Sequence, residues 1–452
     1  MRRNGSILVG VLWCLVLLAT IVVSILHTAR LDLTLAQHHG DAVQAHYLAV
    51  AGIEKAKALL ALDARERRRS RKSYSAELEN APQHFREVSL GRGQFNVLNP
   101  GRAGGETTFG ISDEEGRLNL NIASSNALAH LPAITSEVVA AILDWRDADN
   151  AVTPGGAETE YYAAQNPPTL PRNGPFQTER ELLMVRGITP ELLLGRRSNL
   201  EGRRGNGSSP SPGSRTTPAR GSPTGDPRDI GWGPLLTVNS GIKNLNAAGQ
   251  DRVNVQSADE RALTGIQGIT ADMARAIIAQ RGRTPFQSIA DLLDVRPAAP
   301  AGTVGPNGVP INPGAAQNSG GATVISDDLF QQISDDVTTD DAQDLQGPIN
   351  VNSAGIEVLL CLPGIERPLA QAIINYRQST GFLPGIGALL KVPGMTRDIF
   401  KQILPLITAR SETFRILAEG VVPGRETRRR IEVIVRVGTD DVTTLAYRED
   451  DL

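Results

Sequence analysis

Five carboxylate side chains fall within one short segment of this 452-residue chain and could together hold a hard metal ion: Asp144, Asp147, Asp149, Glu158 and Glu160. Asp147, Asp149 and Glu158 occupy places 1, 3 and 12 of a calcium loop, which would supply the oxygen ligands that Ca²⁺ prefers. Places 5 and 6 are Ala151 and Val152, and place 6 requires glycine, so the segment is not an EF-hand. A looser calcium loop is one interpretation. Solvated acids beyond a helix end, with their like charges crowded, are the other.

The acidic segment follows the first of three copies of one sequence pattern, at residues 119–146, 254–281 and 350–377. Each copy opens on Asn, an apolar residue and Asn or Gln, and continues through a helical stretch and a tight hairpin into an Ala/Ile-rich helix. The copies close on Arg146, Arg281 and Arg377. A second hairpin begins at Phe176, Phe286 or Phe382, with one extra residue in the third copy. One supersecondary unit is therefore reused three times, and these segments resemble helix-hairpin-helix pairs.

The N-terminal region predicts a long helix that starts in a membrane. Residues 7–26 form an apolar stretch without charge, long enough to cross a bilayer as a helix. Arg2 and Arg3 precede it, so the positive-inside rule places the N-terminus in the cytoplasm and the remaining chain outside. A cleaved signal peptide is the alternative, but the apolar run is longer than a signal core and no convincing cleavage site follows it. Helical spacing continues to the basic cluster at residues 65–72.

A single helix that is half in lipid and half outside it resembles the stem of type IV pilins and pseudopilins. The residues before the apolar stretch resemble a prepilin leader that is cut after Gly5, which would make Ser6 the mature N-terminus. Most pilins carry Glu at the fifth mature position, where this chain has Gly10. In this the chain resembles one minor pseudopilin family, protein K of the type II secretion system, whose members typically lack that Glu.

Further motifs carry the same resemblance. Residues 113–121 (Asp-Glu-Glu-Gly-Arg-Leu-Asn-Leu-Asn) and 143–149 (Leu-Asp-Trp-Arg-Asp-Ala-Asp) resemble two blocks of the protein K family, and residues 154–162 and 176–187 follow in the family's order. The resemblance covers residues 1 to about 195 and the tail from about 411 to 437. Residues 196–346 depart from it, because they add linkers and an extra hairpin unit.

Strand patterns lie at the two ends of the exported part. Residues 85–90 and 94–98 alternate as strands, and residues 411–422 and 431–437 predict a hairpin around a Pro423-Gly424 turn. We therefore expect an α+β fold. An N-terminal transmembrane pilin-like helix carries a small antiparallel pilin-like sheet, which a large α-helical insertion with three helix-hairpin-helix-type repeats interrupts.

The expected domains follow in chain order. They are the leader (1–5), the transmembrane and periplasmic stem helix (6–72), pilin-like strands (85–117), helical repeat 1 with the acidic loop (118–195), a flexible linker (196–230), helical repeat 2 (231–296), a flexible and acidic linker (297–346), helical repeat 3 (347–410) and a C-terminal β hairpin (411–440). The linkers lack the apolar content that would order them.

The resemblance implies a function in assembly. It implies a minor pseudopilin that assembles at the pseudopilus tip and supports protein export across the outer membrane. The implied partners are other minor pseudopilins and the pseudopilus, the inner membrane and the prepilin peptidase. The implied location is the inner membrane, crossed once, with the N-terminus cytoplasmic and the bulk of the chain periplasmic. Family members also bind calcium in the helical domain, which favours a metal site at the acidic segment.

A membrane-anchored DNA-binding protein of the competence type is the alternative function. In it the hairpin turns at Gly364 and Gly394, flanked by Lys391 and Arg397, would hold phosphate oxygens through backbone amides and helix N-termini. A net charge of −3 and a pI near 6.1 argue against nonspecific affinity for nucleic acid. DNA-binding hairpins also prefer Gly-Ile-Gly with flanking cations, so we favour protein–protein packing and do not expect nucleic acid as a partner.

The sequence gives no sign of an enzyme. It contains no nucleophile elbow, phosphate loop or zinc-spaced set of Cys and His residues. Its two cysteines, Cys14 and Cys361, imply no disulfide framework.

Overall fold

The computed structural model of the chain describes residues 4–100, 107–195, 231–297, 323–423, 427–439 and 441–449, with side chains described from Val9 onward. The predicted linker 196–230, residues 298–322 of the linker 297–346 and the first residues of the leader lie outside this range. The α-helices are α1 (Asn4–Ser70), α2 (Pro82–Phe85), α3 (Ser125–Ala129), α4 (Ser136–Arg146), α5 (Thr159–Ala163), α6 (Pro190–Leu194), α7 (Glu260–Thr264), α8 (Ala271–Arg281), α9 (Asp327–Ile333), α10 (Ile356–Leu359), α11 (Arg367–Thr380) and α12 (Arg397–Ile403). Short 3₁₀ helices lie at Glu179–Met184, Ile289–Asp294, Ile386–Lys391 and Leu404–Leu406.

The strands are β1 (Val88–Leu90), β2 (Gly93–Asn99), β3 (Thr108–Phe109), β4 (Ser112–Asp113), β5 (Leu118–Asn119), β6 (Leu236–Thr237), β7 (Gly241–Lys243), β8 (Val253–Asn254), β9 (Val337–Thr338), β10 (Asp344–Gln346), β11 (Ile349–Asn350), β12 (Ile407–Thr408), β13 (Thr413–Val422), β14 (Thr427–Val437) and β15 (Val442–Arg448). The main sheet has the order β1-β2-β13-β14-β15, with β3 paired to β2 and β4 paired to β13, all antiparallel. Strands from both ends of the exported part thus meet in one sheet.

The stem helix α1 has two different halves. Its N-terminal half is long and apolar enough to cross a membrane, with a mean hydropathy of 2.8, and its large apolar side chains are exposed. From Ala45 onward one face is buried against the main sheet. The helix approaches the sheet so closely that a Cβ at Gly420 would lie 1.9 Å from the Ala45 carbonyl oxygen, so β13 needs glycine there.

The predicted α+β fold class is confirmed. Two details differ from the strand predictions. Phe85 ends the short helix α2 and packs in the core, so the first strand begins only at Val88. The sheet also gains β15, which pairs with β14. Its alternating side chains are mostly exposed, and the sequence prediction did not include it.

Each repeat is closed by a parallel pair of two-residue strands. The Asn that opens each triplet is the last residue of β5, β8 or β11, and these strands pair with β6, β9 and β12, respectively. These pairings change two predicted domain boundaries. Residues 231–237 complete repeat 1 and do not begin repeat 2, and residues 323–338 complete repeat 2 as helix α9 and strand β9. Two-residue strands have no sequence periodicity of their own, so only the fold reveals these closures.

The side chain of the third residue in each opening triplet connects the second hairpin to the first by hydrogen bonds. Asn121 and Gln256 exchange side-chain hydrogen bonds with both backbone groups of Phe176 and Phe286. In repeat 3, Asn352 makes the same pair of bonds with Leu383. Leu383, and not Phe382, is therefore the counterpart of the other two residues. With Leu383 as the counterpart, the third copy aligns with the other two without an extra residue, and Phe382 is exposed.

The arginine that ends each repeat is also structural. Arg377 donates to the carbonyl oxygens of Val351 and Ala354 at 2.7 and 2.8 Å. Arg146 bonds in the same way to Leu120 and Ala123, and Arg281 donates to Val255. These guanidinium groups satisfy carbonyls of the segment that precedes the first helix of each repeat, so their recurrence reflects folding of the repeat.

We expect the Asn352→Ala substitution to open repeat 3 locally. Asn352 is buried, and its amide also donates to the Ala409 carbonyl at 3.1 Å. Its loss leaves buried backbone groups of Leu383 without partners, which should cost about 2–4 kcal/mol. Hydrogen exchange of the repeat 3 amides measures this free energy of opening. The control Asn375→Ala removes an exposed side chain of the same repeat and should change it by less than about 0.5 kcal/mol. Equal protection in both variants would contradict the assigned role.

Candidate functional site

Three of the five predicted acids converge beside the end of helix α4. The Thr135 hydroxyl caps the start of this helix, and Asp147 is its C-cap. Asp144, Asp147 and Glu158 each place one carboxylate oxygen within 4.8 Å of the others. Asp149 and Glu160 are exposed and lie outside this group. The structure thus brings together a smaller acidic site than the sequence predicted.

The loop between α4 and α5 wraps around Asp144. The Thr153 N–H donates to both carboxylate oxygens of Asp144 at 3.2 Å. A Cβ at Gly156 would lie only 2.0 Å from Asp144 Oδ2, so the loop can pass this carboxylate only with glycine at that position. The fully buried carboxylate is therefore held in one orientation.

Buried oxygens of the other two acids have no hydrogen-bond partner within 3.5 Å among the described residues. Both carboxylate oxygens of Glu158 and the Oδ1 atom of Asp147 are buried, and no donor from the described part of the chain reaches them. The pKa of Asp147 is raised, chiefly by burial and secondly by the charges of Asp149 and Asp144. Burial, then Asp147 and Asp144, raise the pKa of Glu158. Converging carboxylates with unsatisfied oxygens are the donor set for a hard divalent cation, and Ca²⁺ would complete its shell of six to eight oxygens with carbonyls or water.

Aromatic packing fixes both ends of the acidic loop. Trp145 contacts Tyr162 edge to face at 5.1 Å and stacks on Phe176 at 6.5 Å. The Tyr162 hydroxyl accepts a hydrogen bond from the Arg186 N–H at 3.2 Å. Since Trp145 follows Asp144 and Tyr162 lies in α5 just after Glu158, this packing sets the distance between the acids.

A buried ionic cluster joins the main sheet to repeat 1. Arg415 of β13 donates to both carboxylate oxygens of Glu114 at 2.7 and 3.1 Å and also bonds to Glu179. Glu432 lies 3.5 Å from the same guanidinium, and Arg117 lies 3.4 Å from Glu114. Burial alone would raise the pKa of Glu114, but Arg117 and Arg415 lower it to about 2.

The acids on either side of Glu114 accept hydrogen bonds from distant segments, Glu115 from backbone groups and Asp113 from side chains. The Glu115 carboxylate accepts from the N–H groups of Thr413 and Gly241. Asp113 accepts from Asn350 at 3.2 Å and from Ser411 at 2.6 Å. The pKa of Glu115 is raised well above its usual value, chiefly by burial and secondly by the charge of Asp113. Residues 113–117 served in the sequence only as a family motif, and their structural role depends on partners 126 to 301 positions away, beyond any local pattern.

The DNA-binding alternative relied on the second hairpin of repeat 3. Gly364 and Gly394 do occupy turns, with φ of 72° and 87°. The two flanking cations face acids of repeat 2, with Arg397 2.7 Å from Asp327 and Lys391 3.9 Å from Asp328. Phe330 and Phe400 pack edge to face at 5.7 Å in the same contact. Repeat 2 thus contacts this hairpin, and its acids pair with both cations, which stay about half exposed.

The processing residues lie at the start of the stem. The backbone of Gly5 and Ser6 belongs to helix α1, and their side-chain surroundings lie outside the described part of the structure.

Comparisons with known proteins match the two regions that carry the hairpins and the acidic loop. The family model for type II secretion system (T2SS) protein K matches residues 116–196, and the helix-hairpin-helix motif matches residues 346–408. A chain of the crystal structure of the GspK-GspI-GspJ complex from the enterotoxigenic Escherichia coli type 2 secretion system is 12% identical. That match covers 94% of this chain and 100% of the other, with a TM-score of 0.41. No curated protein matches the chain.

The resemblance to protein K is confirmed over residues 116–196, and the acidic loop lies within this matched region.

Proposed function

We propose that this chain is a minor pseudopilin of a type II secretion system. It would act at the tip of the pseudopilus, anchored in the inner membrane by helix α1 with the bulk of the chain in the periplasm, and support export across the outer membrane. The observation that carries the proposal is the protein K match at residues 116–196, on a chain that also has an exposed apolar stem. The proposed partners are other minor pseudopilins and the prepilin peptidase.

Two features support a position at the tip. The helical insertion stands beside the sheet, where it would obstruct a helically stacked neighbour. Gly10 occupies the fifth mature position, so no carboxylate there can compensate the terminal amine of an adjacent subunit, and an uncompensated charge in lipid is costly.

Deletion and complementation test the secretion role. Cells without this chain should lose secreted enzymes from the medium and retain them in the periplasm, and the wild-type chain should restore export. A variant with Leu17→Asp and Val16→Asp in the exposed apolar half of the stem should fail to restore it, because two buried charges oppose membrane insertion. Full export by the deletion strain would contradict the proposal.

We further infer that Asp144, Asp147 and Glu158 hold a calcium ion, which would fasten the end of α4 to the start of α5. The unsatisfied oxygens and the raised pKa values of Asp147 and Glu158 support this proposal. The DNA-binding alternative is not favoured, because the cations it needs are paired within the chain.

Processing should depend on Gly5. A prepilin peptidase must accommodate the residue before the scissile bond, so Gly5→Leu should leave an uncut precursor. Mass spectrometry of the chain purified from membranes should find Ser6 as the wild-type N-terminus and an intact leader in the variant. A wild-type chain that still begins at Met1 would contradict the pseudopilin assignment.

A further inference from the structure

A cavity away from the acidic site lies between repeat 2, strand β10 and repeat 3. Its volume is about 350 Å³, and its lining includes Arg252, Ser288, Asp335, Thr338, Thr408 and Arg410. A space of this size accommodates a small molecule. The residues that could recognise one are the two arginines, which come from the start of repeat 2 and the end of repeat 3.

The two guanidinium groups share a single carboxylate oxygen. Arg252 Nη2 lies 3.2 Å and Arg410 Nη1 lies 4.0 Å from Asp335 Oδ1. The other oxygen, Asp335 Oδ2, already accepts the Ala247 N–H at 2.6 Å. Asp335 is thus the one carboxylate described within 4.0 Å of both guanidinium groups, and Asp336 acts on Arg252 through its charge.

Both arginines keep buried donors without an acceptor. The Arg410 side chain is 8% exposed and that of Arg252 is 11% exposed. Arg252 Nε and Arg410 Nη2 find no hydrogen-bond partner among the described residues. Burial, then the Arg410 charge, lowers the pKa of Arg252 to about 10. Unsatisfied buried donors mean that these guanidinium groups have capacity for a further acceptor. The lowered pKa of Arg252 agrees, because burial and then the Arg410 charge disfavour its charged form.

The neighbouring acids are engaged elsewhere. Glu412 lies near Arg410 but accepts the Lys243 N–H at 2.8 Å, and burial raises its pKa. Asp344 lies at the rim, 3.6 Å from Arg436. Asp340 is also at the rim, where it is exposed and accepts the Ala342 N–H. These rim acids oppose highly charged ligands and leave the inner donors unsatisfied.

We propose that Arg252 and Arg410 bind one oxyanion of a small molecule that carries a carboxylate or a phosphate. Guanidinium groups bind such oxyanions through charge-assisted hydrogen bonds. The bound ion would join the start of repeat 2 to the end of repeat 3.

Binding of the free ions tests the site in the full-length, detergent-solubilised chain. Phosphate, citrate and acetate are titrated at constant ionic strength against chloride, by calorimetry and by thermal melting. A saturable response to phosphate or to a carboxylate at a stoichiometry of one is expected. Which ion binds more tightly separates a phosphate ligand from a carboxylate ligand. Absence of saturable binding by all three ions would overturn the proposal, and would leave an acidic side chain of a partner protein as the candidate occupant.

Arg410→Gln and Arg252→Gln should each weaken the binding by at least about tenfold, because each removes a charge-assisted contact. The control Arg428→Gln changes an exposed arginine 4.0 Å from Glu419 and should leave the affinity unchanged. Circular dichroism establishes that the variants fold. If Arg410→Gln does not fold, the affinity of Arg252→Gln tests the proposal, since the Arg252 side chain is less deeply buried. Affinity equal to wild type in a folded variant would refute the proposal. Pseudopilin function can fail or persist independently of this result.

Discussion

Replacing Arg415 by alanine is expected to lower the free energy of unfolding by about 3–5 kcal/mol, the usual cost of leaving a buried charge without its partner. Glu114 is fully buried, and Arg415 binds both of its carboxylate oxygens. Glu179 of repeat 1 also bonds to Arg415. The substitution should therefore destabilise the junction between the sheet and the helical insertion. Chemical denaturation of the solubilised chain, followed by circular dichroism, measures the change.

Two further variants test whether loss of the buried ion pair causes this destabilisation. Arg428→Ala on the neighbouring strand β14 removes an arginine that is 56% exposed, and should cost less than about 0.5 kcal/mol. The double variant Arg415→Met with Glu114→Gln removes the uncompensated charge together with its partner and should recover part of the loss. If Arg415→Ala is no less stable than Arg428→Ala, the buried cluster does not hold the junction.

The pH dependence of this junction follows from two opposite shifts. The pKa of Glu114 falls from 4.5 to about 2 on folding, so its stabilisation is present above pH 4.5 and is lost as the pH falls towards 2. The pKa of Glu115 is raised, so its contribution is present below pH 4.5 and is lost as the pH rises through the raised value. Glu114→Gln should therefore reduce the loss of stability in acid.

Calcium is expected to stabilise the wild-type chain strongly, by about 2.7 kcal/mol at a hundred times its dissociation constant. Glu158→Gln should remove most of this increment, since both oxygens of Glu158 are buried without a donor. Glu160→Gln changes an exposed acid outside the cluster and serves as the matched control. Thermal melting with calcium and with a chelator gives the increments.

The chelated proteins provide a second readout. Without metal, burial and then like charges raise the pKa values of Asp147 and Glu158, so Glu158→Gln should melt higher than wild type. With calcium the order should reverse. The calcium response should also weaken as the pH falls, because protons compete for carboxylates with raised pKa values. An unchanged calcium increment in Glu158→Gln would show that the ligands lie elsewhere.

Local patterns in the sequence predict the periodic parts of this fold. The stem, the hairpin repeats and the C-terminal β hairpin each follow from the spacing of apolar residues over many positions. The closing strands β6 and β9 could not be predicted in this way, since two residues have no period and their partners lie about 100 positions away. The register of Leu383 in repeat 3 likewise depends on a hydrogen bond to Asn352 and not on residue type.

The sequence predicted that carboxylates form the candidate site, but it did not predict which of the five acids come together. Asp149 and Glu160 have the same chemistry as Asp144 and Glu158, and only the packing of Trp145 against Tyr162 decides which acids converge. The pairs Arg415–Glu114 and Arg252–Arg410 join segments that are far apart in the chain. No local sequence signal predicts such pairs.

Quantitative labelling of purified filaments tests the central claim, that this chain is a pseudopilin which acts once at the filament tip. A single labelled cysteine on the exposed face of the helical insertion, in a chain with Cys14 replaced, reports both position and copy number. The account predicts label at one end of each filament, with few copies relative to the major pseudopilin. Label spread along the shaft at a stoichiometry comparable to that of the major pseudopilin would contradict it.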